Sequence, residues 1–188
     1  MRIVGGNLRG LKLADVGEGD AAAHLRPTTD RVREAIFNLL INGTHGNPVP
    51  GARVLDLFAG TGALGLEALS RGATRVAFVD DGVKARALIR SNVEKARAMG
   101  VTDLWRRDAT ALGENRGAAY DLIFLDPPYG QGLGERAIAS ALAGGWIAPG
   151  AMIVWEDSRA PVIPAPLGQI DQRRYGDSVV TLARMPSM

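Results

Sequence analysis

Val54-Leu55-Asp56-Leu57-Phe58-Ala59-Gly60-Thr61-Gly62-Ala63-Leu64-Gly65 is the stretch whose reading decides the fold. It opens as a short apolar run suited to a buried strand, then breaks into glycines that let the backbone turn with positive φ and approach a ligand closely. Leu64, Leu66, Ala68 and Leu69 follow in a run of helix formers that Gly72 stops. The unit reads strand, glycine turn, helix. Gly60-x-Gly62-x-x-Gly65 also matches the dinucleotide fingerprint, so a nicotinamide or flavin enzyme is a rival reading. Asp56, at the carboxyl end of the strand, separates the two. A carboxylate there would repel a pyrophosphate but welcomes the cationic α-amino and sulfonium groups of S-adenosylmethionine. Asp56, Phe58, Gly60, Thr61 and Gly62 are therefore the first cofactor-binding candidates.

Outward from this unit, strands and helices alternate. Arg75 to Asp80 reads as a second strand and Val83 to Met99 as a helix closed by Gly100. Thr102 to Arg106 reads as a third strand, Tyr120 to Leu125 as a fourth, Leu133 to Ala143 as a helix and Ala151 to Trp155 as a fifth strand. Such alternation predicts right-handed crossovers and a mostly parallel, doubly wound α/β sheet. Gln169 to Tyr175 and Ser178 to Arg184 flank Gly176-Asp177 with no room for a helix, which predicts a closing antiparallel hairpin. That gives a Rossmann-like, seven-stranded sheet of the class I methyltransferase type.

The amino-terminal part reads differently. Residues 1–13 form a short β arm, and Asp15 to Ala23 is a polar, glycine-rich loop. After Arg26-Pro27, one of Thr28, Thr29 and Asp30 caps a helix whose apolar face is Val32, Ile36, Leu39 and Leu40, with Arg31, Arg33 and Glu34 elsewhere on it. Residues 1–50 are thus expected as an appendage of arm and helix, and 51–188 as the catalytic-type domain.

At 188 residues the chain is long enough to bury a proper core. No long apolar stretch or signal pattern is present, which predicts a soluble cytoplasmic protein without membrane contact. The chain has no cysteine, which excludes disulfides, thiolate metal sites and a thiol nucleophile, and with it pyrimidine C5 methylation. His24 and His45 each stand alone, so no metal is expected. The net charge of +2 does not by itself prove a nucleic-acid partner. The cations nevertheless cluster at Arg2, Arg9 and Lys12, and again at Arg26, Arg31 and Arg33, where they could neutralise phosphates or simply form a solvated face. Nothing demands more than a monomer.

Four acids fall at successive strand ends: Asp56, Asp80, Asp108 and Asp126. Asp80 lies at the spacing from Gly60 at which an acid accepts ribose hydroxyls, and Asp81 reads as the cap of the helix from Val83. Asp108 either accepts the adenine amino group, with Ala109 beside it, or caps a short helix starting at Ala109. Asp126-Pro127-Pro128-Tyr129 directly follows an apolar strand. Its prolines fix φ and remove two donors, leaving carbonyls that, with the Asp126 carboxylate, can hold an exocyclic NH2 group. Tyr129 is placed to stack on a target base. In-line transfer of a methyl group would then rest on positioning and on stabilising the developing ammonium.

With these motifs in hand, the chain resembles the bacterial small-subunit ribosomal RNA guanine-N2 methyltransferases of the RsmD family. The matching segments are Arg2 to Gly6, Arg26 to Glu34, Asp56 to Leu69, Asp126 to Tyr129 and Arg174 to Asp177. The resemblance implies methylation of one guanine of 16S rRNA in the small ribosomal subunit, with the Arg26 to Glu34 block, Thr28 included, near the cofactor and the RNA entrance. Asp80 stands where the family usually has glutamate, and the Asp15 to Ala23 loop is longer than usual. The glycine and Asp-Pro-Pro-Tyr motifs are shared with DNA amino methyltransferases and protein glutamine methyltransferases. The first would need a base-reading domain for which the chain has no room, and the second commonly carries asparagine in place of Asp126. A non-catalytic RNA-binding assembly factor is the alternative of a different class.

Overall fold

The computed structural model describes residues 1–16 and 28–188. The elements run α1 (Asp30–Asn42), β1 (Arg53–Leu57), α2 (Ala63–Ser70), β2 (Arg75–Val79), α3 (Val83–Lys95), β3 (Thr102–Trp105), β4 (Tyr120–Leu125), α4 (Leu133–Ala143), β5 (Ile147–Asp157), β6 (Gly168–Tyr175) and β7 (Ser178–Arg184). All seven strands form one sheet in the order β3-β2-β1-β4-β5-β7-β6. The first five are parallel, while β7 is antiparallel to both β5 and β6. Strand order reverses between β1 and β4, and in such sheets the crevice beyond the carboxyl ends at that point is where ligands collect.

Strand alternation sends side chains to two cores. Val54, Phe78, Phe124 and Val154 face α1, α2 and α3. Leu55, Val79, Ile123 and Trp155 face α4 and the short 3-10 helix after β3. Both faces are covered, which explains why these strands read as continuous apolar runs.

Several boundaries differ from the sequence expectation. α3 stops at Lys95 rather than Met99 because Arg97 takes a left-handed conformation (φ 53) and the Ala98 amide reaches back to the Val93 carbonyl at 3.0 Å, closing the helix before Gly100. β5 begins four residues earlier than expected, at Ile147. α1 is capped by Thr29, whose side chain accepts from the Val32 amide. Its buried face is Arg33, Ile36, Phe37 and Leu40, so Arg33 lies inside and Phe37 was overlooked. Phe37 packs on Phe124 with ring centroids 5.6 Å apart, a contact whose loss to alanine costs about 3–5 kcal/mol.

The arm is also more deeply seated than expected. Ile3 and Leu13 are buried in the same core as the sheet residues, so the arm and α1 share the domain's core instead of packing apart from it. Arg2 bridges Lys12 across the arm, and the turn between them lies on the end of α2, where the Asn7 amide donates to the Ser70 carbonyl at 2.8 Å and the Leu8 amide to Ser70 Oγ at 2.8 Å. Glu67 and Arg33 fasten arm to helices. The Glu67 carboxylate accepts from the Val4 and Gly5 amides at 2.9 and 3.1 Å and from Arg33 Nε at 3.2 Å. Arg33 Nη2 donates to Asp30 and to the Arg2 carbonyl.

Candidate active site

The β1–α2 turn is built by its backbone. Gly60 and Gly62 take positive φ (60 and 81), and Phe58 does so too (φ 56), a conformation that costs an aromatic residue on the order of 1–3 kcal/mol and is held where the surroundings over-determine it. Here the Ala59 amide donates to the Val79 carbonyl at 3.1 Å and the Gly62 amide to the Ala59 carbonyl at 2.8 Å. Gly65 is required for packing: a Cβ would fall 2.5 Å from Phe78 Cε1 and 2.7 Å from Val76 Cγ1. The bare glycine lets the first turn of α2 settle on β2, which brings its amide within 3.0 Å of Asp56 Oδ2. Asp56 is 1 % exposed. Burial pushes its carboxyl up to about 8, opposed by the Gly65 amide and reinforced by the nearby Asp80 charge.

Asp80 works as a clamp on the same turn. Its Oδ2 accepts from the Gly60 amide at 3.0 Å and its Oδ1 from the Gly82 amide at 2.9 Å. Burial raises its pKa, while both amides act the other way. Asp81, expected to cap α3, does not; Gly82 holds that position without a side-chain bond, and the Asp81 carbonyl accepts from Arg86 Nη1 at 2.6 Å. Asp108 does cap the short 3-10 helix, accepting from the Thr110 amide at 2.8 Å and hydroxyl at 2.7 Å, which lowers its pKa.

Beyond β4, Asp126 Oδ2 accepts from Thr28 Oγ1 at 2.5 Å. Tyr129 donates its hydroxyl to Glu156 Oε1 at 2.5 Å, with Ser178 Oγ at 3.3 Å. Thr28, Asp126 and the β1–α2 turn open on one cavity of about 280 Å³. Of the cofactor-binding candidates, all but Gly62 line it, and of Asp126 to Tyr129, all but Tyr129. Phe58, Leu64 and Val79 supply apolar wall between the carboxylates. Such a mixture can hold a ligand with a flat apolar part and cationic or hydroxyl-bearing ends. Among the described residues, no group of three His, Cys, Asp or Glu is arranged to hold a metal ion.

Four residues that matter here were not singled out in the sequence. Arg107 lines the cavity with its guanidinium 4.2 Å from the Trp105 ring. Asn92, fully buried on α3, bonds the Ala14 amide and carbonyl and the Thr61 carbonyl, tying the arm to the glycine turn. Glu67 and Glu156 are buried acids in apolar runs, and that misfit was their one visible signal.

The candidate RNA-binding cations separate into three groups. Arg2 and Lys12 are exposed neighbours, and the Arg2 amide reaches Asp30 at 3.3 Å, next to exposed Arg31. Thr28, two residues before Asp30 in the chain, lines the cavity, while none of these three cations does. Arg9 lies in the arm's turn, by the far end of α2. Arg33 is not available to a phosphate: it is fully buried and paired with Glu67 and Asp30, since α1 turns it towards α2. Arg26, His24 and most of the Asp15 to Ala23 loop lie outside the described residues. His45 meets Asp171 Oδ2 at 3.3 Å, joining the α1–β1 linker to β6.

The family described as Conserved hypothetical protein 95 matches residues 1–184. The Escherichia coli K12 protein named "Ribosomal RNA small subunit methyltransferase D" is 38% identical over 169 residues, 88% of this chain and 80% of that one. The protein of the same name from Haemophilus influenzae is 36% identical over 167 residues, 85% of this chain and 79% of that one. The solved structure of Escherichia coli yhhF superposes with a TM-score of 0.83 at 33% identity, covering 100% of this chain and 99% of that one. With a sheet of methyltransferase order, acids at its switch point and likeness along almost its whole length, the chain belongs to the Conserved hypothetical protein 95 family, alongside proteins named as small-subunit rRNA methyltransferase D.

Proposed function

We propose that this protein transfers a methyl group from S-adenosylmethionine to the exocyclic N2 amine of a guanine in 16S rRNA of the small ribosomal subunit. The observation that carries the reading is the meeting of Asp126-Pro127-Pro128 with Asp56, Asp80 and the glycine turn on one cavity. The relatives' printed names support a ribosomal RNA acceptor. When bound, S-adenosylmethionine supplies an electrophilic methyl group on a sulfonium.

The chain's own residues would do the rest. Asp56, beside the turn, offers a negative charge to a cationic ligand end, and Asp80 and Asp108 offer acceptors to hydroxyl and amino groups. Asp126 and the carbonyls of the Pro127-Pro128 turn accept the two protons of the target amine. That would draw its nitrogen towards tetrahedral geometry and free the lone pair for in-line attack; as the N–C bond formed and the methyl–sulfur bond broke to leave a neutral thioether, the Asp126 carboxylate would stabilise the positive charge on nitrogen until its proton passed to solvent. Arg2, Lys12 and Arg31, exposed near the start of α1, would neutralise phosphates of the incoming strand.

Radiolabel transfer to small subunits, free rRNA, large subunits and DNA in parallel, followed by nucleoside analysis, tests the reading. Label as N2-methylguanosine from small-subunit RNA is the expected result. Label confined to DNA or protein overturns the acceptor. Normal transfer by Asp126→Ala overturns the role of the Asp-Pro-Pro-Tyr turn.

A further inference from the structure

The Asp126–Tyr129 turn is gripped at both ends by side chains from elsewhere in the chain. At its start, the Thr28 hydroxyl donates to Asp126 Oδ2 at 2.5 Å, the short distance of a charge-assisted bond. Thr28 is nearly buried, at 9 % exposure, and directly precedes the residue that caps α1. A β-branched side chain in that setting has little rotational freedom. At the other end, the Tyr129 hydroxyl donates to Glu156 Oε1 at 2.5 Å and lies 3.3 Å from Ser178 Oγ. Glu156 is 2 % exposed near the end of β5, and Ser178 opens β7. A phenol held at its far tip has the direction of its ring axis fixed, and its hydroxyl is directed into the protein.

Resting on the methyl-transfer reading above, we propose that Thr28 and Glu156 are positioning residues for that reaction. Thr28 engages one carboxylate oxygen of Asp126 and so fixes the side-chain torsion of the group that accepts from the target amine. Glu156 holds the axis of the Tyr129 ring so that its hydroxyl is turned away from the base. The prolines between fix the backbone but cannot set either side-chain torsion, which is what the two outside contacts add.

The test compares wild type, Thr28→Val, Thr28→Ser, Tyr129→Phe, Glu156→Gln and the Tyr129→Phe/Glu156→Gln double variant on small subunits, with S-adenosylmethionine affinity measured separately by calorimetry. Thr28→Val keeps the shape and loses the hydroxyl; kcat is expected to fall roughly 10- to 100-fold, the scale of a misplaced catalytic group, with KM and cofactor Kd little changed. Thr28→Ser restores turnover. Tyr129→Phe keeps the ring and frees its tip, lowering kcat about tenfold, and adding Glu156→Gln to it costs nothing more, because coupled residues are not additive. Glu156→Gln alone keeps an acceptor and most of the activity. If Thr28→Val does not fold, Tyr129→Phe and the double variant carry the test. Undiminished kcat in Thr28→Val and Tyr129→Phe overturns the inference while wild-type transfer upholds the reading beneath it; so does a loss confined to cofactor Kd. A wild-type chain that labels no RNA overturns both.

Discussion

Binding of S-adenosylmethionine should release a proton from Asp56. The carboxyl has almost no contact with solvent, and burial holds its pKa near 8. At pH 6.5 all but about 3 % of molecules therefore carry the proton. A cationic ligand favours the ionised form, so binding should expel close to one proton, and apparent affinity should weaken about tenfold for each pH unit below 8 because only the ionised fraction is competent. The useful range is pH 5.5 to 7, roughly below the titration of the ligand's own amino group. Calorimetry at pH 6.5 in phosphate and in imidazole buffer reads the proton directly, as the difference in observed enthalpy. Asp56→Asn keeps an oxygen for the Gly65 amide but has nothing to release, so its weaker binding should be flat across that range. In the ligand-free protein the sign is equally definite. The folded pKa is raised from 3.8, so the folded chain holds more protons than the unfolded one between those values. Stability from this group is full below about pH 4 and is lost as pH rises through 8. A wild-type chain that releases no proton at pH 6.5, with affinity independent of pH, would refute the placement of the cation against Asp56.

Three further outcomes follow from the geometry. Glu67→Ala removes the acceptor of two arm amides and of Arg33 Nε; the loss of a buried partner costs about 3–5 kcal/mol, which thermal unfolding should register as a Tm drop of roughly 6–20 °C. Gly65→Ala drives a Cβ to 2.5 Å from Phe78 and should cost about 1–3 kcal/mol and weaken cofactor binding in calorimetry, since α2 must lift away from Asp56. Replacing Arg2, Lys12 and Arg31 together by glutamine should lower RNA affinity and make the slope of log K against log salt shallower by about two to three. The same change at Arg9, by the far end of α2, should leave the slope nearer wild type, and equal effects would move the RNA path along the arm.

The architecture was legible because periodicity carries it. Apolar strands alternating with helices, a glycine turn after the first and a hairpin with no room for a helix specify the sheet with its antiparallel β7, which the structure shows. The strand-end acids were legible for the same reason, since strand ends can be found by pattern. Partnership was not. Arg33 looked like one cation among several, yet its position on α1 points it at Glu67, and only the packing of α1 on α2 reveals that. Asp80 looked like a free acceptor, whereas two backbone amides already occupy it. Glu156 and Tyr129 stand 27 residues apart in the chain, and no local spacing joins them. Helix ends failed where a non-glycine residue took the left-handed turn, as at Arg97.

The arm's paired glycines, identical in the sequence, carry unequal histories of substitution in prospect. A Cβ at Gly6 would fall 1.9 Å from the Ser70 carbonyl oxygen, and its φ is +77; the obstacle is backbone and cannot move aside. A Cβ at Gly5 would instead meet the guanidinium end of Arg71 at 2.5 Å, a side-chain end that can shift by loosening its 3.4 Å contact with Glu67 and its seat over the Phe37 ring. Glu67 grips backbone amides in this segment, not side chains, so residue choice there is otherwise free. In a saturation library the arm should therefore accept alanine or serine at position 5 and reject every replacement at position 6, a one-residue boundary between drift and fixity set by a single carbonyl.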